Sequence, residues 1–336
     1  MCSTLPRRRT ELITSLKRAI RAAAEKLPAP WLELLQSADP VIVMYHGVSV
    51  DNGPSWLRGQ SKHLPLDHFV AQLRALSKLR RVIPLSEMVE GLQSGADLRH
   101  AVSITFDDGY KNNITRAAPA LDEFRCSATF FLATGYIGAD RWMWTDRVER
   151  AVAFAADSRK PIAISGQSFP TMTCDERIAS VVTIKHELKR IALPEAERRL
   201  DELEDQIGLP PAPPSGNNEF MQWKDAIELS TAGFEIGAHT VNHPILSGIA
   251  IHEAQQEILQ SRNQILEHVG RCSPVFCFPN GKRQDYSEEV LAFCRSKFEG
   301  ALSTVRGPAR ARDLYELCRI GAPTEGRTRS LLWLRH

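Results

Sequence analysis

Two adjacent carboxylates, Asp107 and Asp108, close the apolar run of ITFDDGY (104–110), and two imidazoles, His239 and His243, stand four residues apart in GAHTVNH (237–243). Each pair is ambiguous alone. Asp-Gly is an ordinary turn dipeptide, and HxxxH arises by chance, with one histidine capping a helix and the other solvated. Taken together they make a chemical set. One aspartate and two histidines form a facial triad that leaves positions open for water and substrate, as catalytic metal sites do and closed structural sites do not. Successive residues at a strand end point to opposite sides, so one carboxylate can ligate while its neighbour takes a proton. The four-residue histidine spacing predicts both rings on one face of a helical turn.

Such a set needs elements that hold it, and the flanking sequence supplies them as an alternation. VIVMYHGV (41–48) is a strand-length run that reads as buried on both faces. DHFVAQLRALSKL has helical spacing, AVSITFDDG is a strand and turn, and SATFFLATGYI is another buried strand. Further on come FEIGAHT, a helix over IHEAQQEILQSRNQILEHVG, the strand PVFCFPNG, the helix YSEEVLAFCRSKF, the strand GALSTV and the short run LCRIGAP. Strand and helix alternating from 41 to 322 predict a parallel α/β architecture, with both acids at a strand's C-terminal rim.

The alternation breaks at about 147–222, where IKHELKRIALPEAERRLDELEDQIGL reads as charged helix and LPPAPPSGNN as a linker. This insertion either shapes a cleft or stands as a solvated peripheral hairpin. Residues 9–27 read as an amphipathic helix, with Leu12, Leu16, Ile20, Ala23 and Leu27 on one stripe. Residues 1–38 carry seven basic and three acidic side chains, which suits contact with an anionic membrane surface or packing on the chain's own domain. We therefore divide the chain into an N-terminal basic segment, 1–38, and one catalytic domain, 39–336.

Composition sets outer bounds. A net charge of +2 from 42 basic and 40 acidic residues gives no case for nucleic-acid binding. Seven scattered cysteines without a CxxC pair predict reduced thiols. No secretory signal and no membrane-spanning run is legible, so the expected location is the cytoplasm, with peripheral contact at the inner membrane face.

TFDDGY, HTVNH and FCFPNG (276–281), in that order and each at a strand end, resemble the motifs of the polysaccharide deacetylases of the NodB-homology type, carbohydrate esterase family 4. The resemblance covers roughly 40–322. It implies a distorted (β/α)7-type barrel carrying the helical insertion. It also implies Asp107 as catalytic base and Asp108, His239 and His243 as ligands of a divalent metal, zinc first, with cobalt, nickel or iron(II) as alternatives. Two features depart from the family pattern. Cys277 stands where the third motif has an arginine that tethers the base, and after His268 the only histidine is the terminal His336. MYHGV places His46 after the first buried strand, which is similar to the circularly permuted branch represented by the poly-N-acetylglucosamine deacetylases, whose acid histidine comes first in the chain. On that resemblance His46 protonates the departing amine, and Arg319 in CRIG replaces the tether.

The implied reaction is hydrolysis of an N-acyl group on an amino sugar. The metal polarises the acyl carbonyl and lowers the pKa of its water toward ~7. A backbone N–H in Phe278–Pro279–Asn280 helps hold the oxyanion, and an acid completes the collapse. Tyr110, Trp142 and Trp144 either pack against a sugar face or belong to the core. The partner is an N-acetylated sugar of a glycan, glycolipid or activated precursor, with lipid linkage suggested by the basic N-terminus. A deformylase or O-acetyl esterase on the same scaffold, and a catalytically inactive glycan-binding scaffold, are the alternatives. A metalloprotease is disfavoured because HTVNH lacks the glutamate of HExxH.

Overall fold

All six residues of the strand Ala101–Phe106 are buried, as a run without polar alternation requires when a sheet is covered on both faces. This strand is the centre of the molecule, whose computed structural model describes residues 29–49, 56, 62–312 and 314–322. The amphipathic helix expected over 9–27 lies outside the described residues.

We number the strands of the main sheet in chain order: β1 (Val41–Tyr45), β2 (Arg81–Val82), β3 (Ala101–Phe106), β4 (Thr129–Leu132), β5 (Glu235–Ala238), β6 (Val275–Cys277), β7 (Gly300–Leu302) and β8 (Ile320–Gly321). Their spatial order is β7-β6-β5-β4-β3-β1-β8, with β2 beside the first residues of β3. Every pairing is parallel. A parallel bridge between Leu302 and Leu317 leads the chain from the β7 edge into β8, which pairs with β1. The two ends of the sheet are thereby brought together, and the expected distorted barrel is what the chain forms.

Helices between the strands cover the sheet. Helix Leu66–Leu79 buries Phe69, Leu73 and Leu76, and the rings of Phe69 and Tyr45 meet edge to face at 5.1 Å. Tyr45, Phe106 and Phe130 stack in sequence at 5.2 and 5.0 Å, so aromatic contacts tie β1, β3 and β4 directly beneath the site. Helix Ala29–Gln36 adds Trp31, Leu34 and Leu35 to the same core. Arg80 fastens it there, donating to the carbonyls of Leu34, Ser37, Asp39 and Ala101.

The insertion has its own packing. Helices Trp144–Asp157, Cys174–Leu188 and Leu193–Ile207 surround a second core that includes Val148, Val152, Ile184, Leu200 and Leu203. Local sequence dictates their ends. Thr173 and Glu176 exchange reciprocal hydrogen bonds of 3.2 and 2.9 Å at one N-terminus, Pro194 lies in the first turn of the last helix, and Gly208 caps it at φ 63°. Between the first two helices a hairpin, Ile162–Ile164 with Gln167–Phe169, breaks the all-helical expectation. Ser165 and Gly166, both at positive φ, make its two-residue turn. Tyr110, Ala133, Tyr136 and Phe220 join this second core, so the insertion packs on the barrel rim and is not a solvated peripheral hairpin.

Candidate active site

β3 delivers the two acids. Its ladder continues one residue past the strand, where the Asp107 N–H donates to Tyr45 O at 3.0 Å. The chain then turns sharply, with Asp108 at φ 76° and Gly109 at φ 91°. A Cβ on Gly109 would stand 2.9 Å from Ile137 Cδ1, so only glycine fits this turn. The left-handed conformation of Asp108 sends its carboxylate away from that of its neighbour, and the two have separate partners.

Asp107 faces the sheet. Arg319 binds it with a two-pronged pair, Nη1 to Oδ1 and Nη2 to Oδ2 at 2.8 Å each. Arg319 is 1% exposed and is itself fixed by Nε donating to Ser303 O at 2.8 Å. The Cys277 thiol lies 3.6 Å from Asp107 Oδ1. Burial raises the Asp107 pKa most, but the Arg319 guanidinium, His239 and His46 together hold the carboxyl below its ordinary range.

Asp108 faces the loop after β5. Its Oδ1 lies 3.6 Å from His239 Nε2 and 3.5 Å from His243 Nε2. All three side chains are buried. The segment joining the histidines is not the helical turn expected from their spacing, because Thr240 and His243 have φ of 64° and 55°. It is a strained loop, and Glu257 holds it from helix Ile251–Val269. The Glu257 carboxylate accepts from Val241 N and Asn242 N at 2.8 Å each and from Asn242 Nδ2 at 2.7 Å. The Thr240 hydroxyl accepts from His243 N at 3.1 Å.

The ligand atoms of Asp108, His239 and His243 lie within 4.8 Å of one another, a spread that suits a single cation. The chemistry of the set agrees. His239 Nδ1 is 2.8 Å from Cys277 O, and as an N–H donor there it leaves Nε2 as the atom that would ligate, the arrangement of metal-ligating imidazoles. Against its burial, Cys277 and Asp108 raise the pKa of this ring, so Nε2 would release a proton on ligating a cation. Burial lowers the His243 pKa to about 3, so its ring is neutral and able to ligate.

His46 follows β1, and its carbonyl accepts from Asn113 Nδ2 at 2.8 Å. Burial lowers its pKa, aided by Lys62 and Arg319, while Asp108 and Asp107 pull it upward. In the loop after β6, the Phe278 N–H is already committed to Leu302 O at 3.1 Å and Pro279 has none, leaving the Asn280 N–H as that segment's remaining backbone donor. The Phe278 ring is fully buried, stacked on Tyr286 at 4.0 Å, and Pro279 is buried too. Both side chains pack into the core, and the loop's open group is the Asn280 N–H.

The sequence profile of the polysaccharide deacetylases matches residues 95–297, more than half of the chain. The chain belongs to this family. YxkH of Bacillus subtilis (strain 168), provisionally named a polysaccharide deacetylase, is 29% identical over 110 residues, a stretch covering 32% of this chain and 37% of YxkH. The fold is shared with the deacetylase PplD of Streptococcus pyogenes at TM-score 0.56 and 17% identity, over 90% of this chain and all of PplD. IcaB of Ammonifex degensii aligns at TM-score 0.56 and 15% identity over 89% of this chain and 96% of IcaB. A de-N-acetylase of Aggregatibacter actinomycetemcomitans aligns at 0.52 and 14%, over 87% and 98%.

Against the expectations for a polysaccharide deacetylase, two corrections concern aromatic residues. Tyr110 has 0% exposure. Its ring stacks on Phe220 at 4.8 Å and its hydroxyl donates to Asp146 Oδ2 at 2.7 Å, so it belongs to the core and offers no face to a sugar. Trp144 is likewise buried, and Trp142 lines a groove of about 350 Å³ on the insertion with Arg141, Arg150 and Glu197. Two residues of the site escaped sequence reading. Lys62 lies 3.7 Å from Asp108 Oδ2, and Glu257 supports the histidine loop. Neither stands in a motif.

Proposed function

We propose that this polysaccharide deacetylase family member hydrolyses the N-acetyl group of an amino sugar, with Asp107 as general base and a divalent cation, zinc first, held by Asp108, His239 and His243. The observation that carries this reading is the division of the acid pair. Asp107 is bound by an arginine through both oxygens, with His239 and Cys277 also near it, while Asp108 shares Oδ1 between two imidazole nitrogens. The cation would supply Lewis-acid polarisation of the acyl carbonyl and a water of lowered pKa.

The remaining roles fall to the protein. Asp107 is ionised at neutral pH, and Arg319 fixes its plane, so it takes the proton of the attacking water without reorienting. The Asn280 N–H faces the developing oxyanion. His46, whose backbone carbonyl Asn113 holds, delivers the proton that the departing amine requires. The expected substrates are N-acetylated glycans, glycolipids or activated sugar precursors. The excess of seven basic over three acidic side chains in residues 1–38 favours a lipid-linked precursor at a membrane surface. No described helix is long and apolar enough to cross a membrane.

The test is metal analysis of the purified protein, followed by acetate and formate release from lipid-linked, nucleotide-linked and polymeric N-acylated amino sugars. Chelation should abolish acetate release and zinc should restore it. Release that survives complete metal removal refutes the metal role, and formate in place of acetate refutes the acyl group.

A further inference from the structure

Asp108 presents its two oxygens to different neighbours. Oδ1 faces His239 Nε2 and His243 Nε2 at 3.6 and 3.5 Å, whereas Oδ2 faces Lys62 Nζ at 3.7 Å. That ammonium is anchored. It pairs with Asp146 Oδ1 at 2.6 Å, donates to Thr145 Oγ1 at 3.2 Å and to the Tyr110 hydroxyl, and sits 4.9 Å from the centre of the Tyr110 ring. Its side chain is 12% exposed. Thr145 and Asp146 belong to the first turn of helix Trp144–Asp157, so the insertion holds a fixed positive charge against the one oxygen of Asp108 that the imidazoles do not face.

We propose that Lys62 is a positioning residue of the metal centre: it engages Asp108 Oδ2, keeps Asp108 a one-oxygen ligand through Oδ1, and lowers the affinity of the site for its cation. This rests on Asp108, His239 and His243 being the metal-binding set. A carboxylate with both oxygens free can bind a cation through both, and the second oxygen would take a position that water or substrate needs. The lysine therefore trades binding strength for an open coordination position.

The test reads metal binding directly in the full chain, by zinc competition with a chromophoric chelator and by visible absorption of the cobalt-loaded protein. Lys62→Met is combined with Asp146→Asn, so that no buried carboxylate is left facing an absent ammonium. Because the double variant removes one positive and one negative charge together, any gain comes from the freed Asp108 Oδ2: it should bind zinc about tenfold more tightly and show a weaker cobalt absorption band as the coordination number rises. Lys62→Arg should keep the wild-type affinity and spectrum. Wild-type affinity and spectrum in a double variant with unchanged circular dichroism and melting overturn the proposal. If the double variant does not fold, a crystal structure of the zinc-loaded unaltered protein decides: one Asp108 oxygen on zinc supports the proposal and two refute it. An unaltered protein that binds neither zinc nor cobalt refutes the metal site itself, a result distinct from metal binding indifferent to Lys62.

Discussion

The two walls of the site are built on different principles, although they begin at adjacent residues. The Asp107 wall is sheet: Thr105 on β3, Cys277 at the end of β6, and Arg319 immediately before β8, whose guanidinium also reaches Thr105 Oγ1 at 3.3 Å. The Asp108 wall is loop and insertion: the strained turn of Thr240 and His243, the Glu257 brace, and Lys62 tied to Asp146. A rigid ladder positions the proton acceptor, whose plane must not drift. Loops position Asp108 and His243, whereas His239 continues the β5 ladder with its N–H donating to Leu132 O at 3.1 Å; a bound cation can draw the loops toward that fixed ring. The walls should therefore fail differently, the first through chemistry and global stability, the second through metal affinity.

The largest effect should come from the sheet wall. Asp107→Asn keeps the shape of the side chain and removes the base, so acetate release should fall about 100- to 10,000-fold while metal content stays at the wild-type level. Turnover near that of the wild type would remove Asp107 as the base. Next is Arg319→Met, which leaves Asp107 buried and unpaired and should cost about 3–5 kcal/mol of stability in denaturant titration, with activity falling as well. Lysine at 319 cannot reproduce the two-pronged pair, so Arg319→Lys should recover little of either. A melting temperature unchanged in Arg319→Met would show that the sheet wall does not depend on this pair.

On the loop wall the signature changes. Glu257→Gln keeps one acceptor for the loop but loses the charged brace of two backbone N–H groups and Asn242. Zinc affinity should drop about tenfold, with global stability nearly unaltered, because helix Ile251–Val269 retains Ala254, Ile258 and Ile265 in the core. A stability loss as large as that of Arg319→Met would mean that the two walls are not distinct.

The sheet wall was also the more legible in sequence. Buried parallel strands appear as apolar runs, and β1, β3, β4 and β6 lie inside the runs read as strands. The acids and histidines stand out because their types are rare at strand ends, and Arg319 was recognisable as a basic residue near a late strand. Loop-wall residues carry no such mark. Lys62 is one lysine in a polar stretch, and Glu257 sits among the charges of an amphipathic helix, where a solvated face is the ordinary reading. Tyr110 was misplaced for a related reason: an aromatic beside a turn looks the same in sequence whether a ligand or Phe220 covers its face. The Ser165–Gly166 hairpin lies in strands of three residues each, too short for a period to register.

The smallest effect probes whether the insertion senses the loop wall beyond Lys62. Arg141 donates to Asn242 Oδ1 at 2.8 Å and pairs with Glu197 of the last insertion helix at 2.7 Å, in side chains 36% and 33% exposed. Ion pairs so open to solvent contribute at most about 1 kcal/mol, so Arg141→Ala should weaken zinc binding by no more than about fivefold, a change within that limit. The informative quantity is coupling. Because Glu257 and Arg141 grip the same Asn242 from opposite sides, their variants should combine non-additively in zinc affinity, the second substitution costing less once the first has freed the loop. Strict additivity would mean that Arg141 merely docks the insertion and that Asp146–Lys62 alone carries its influence to Asp108.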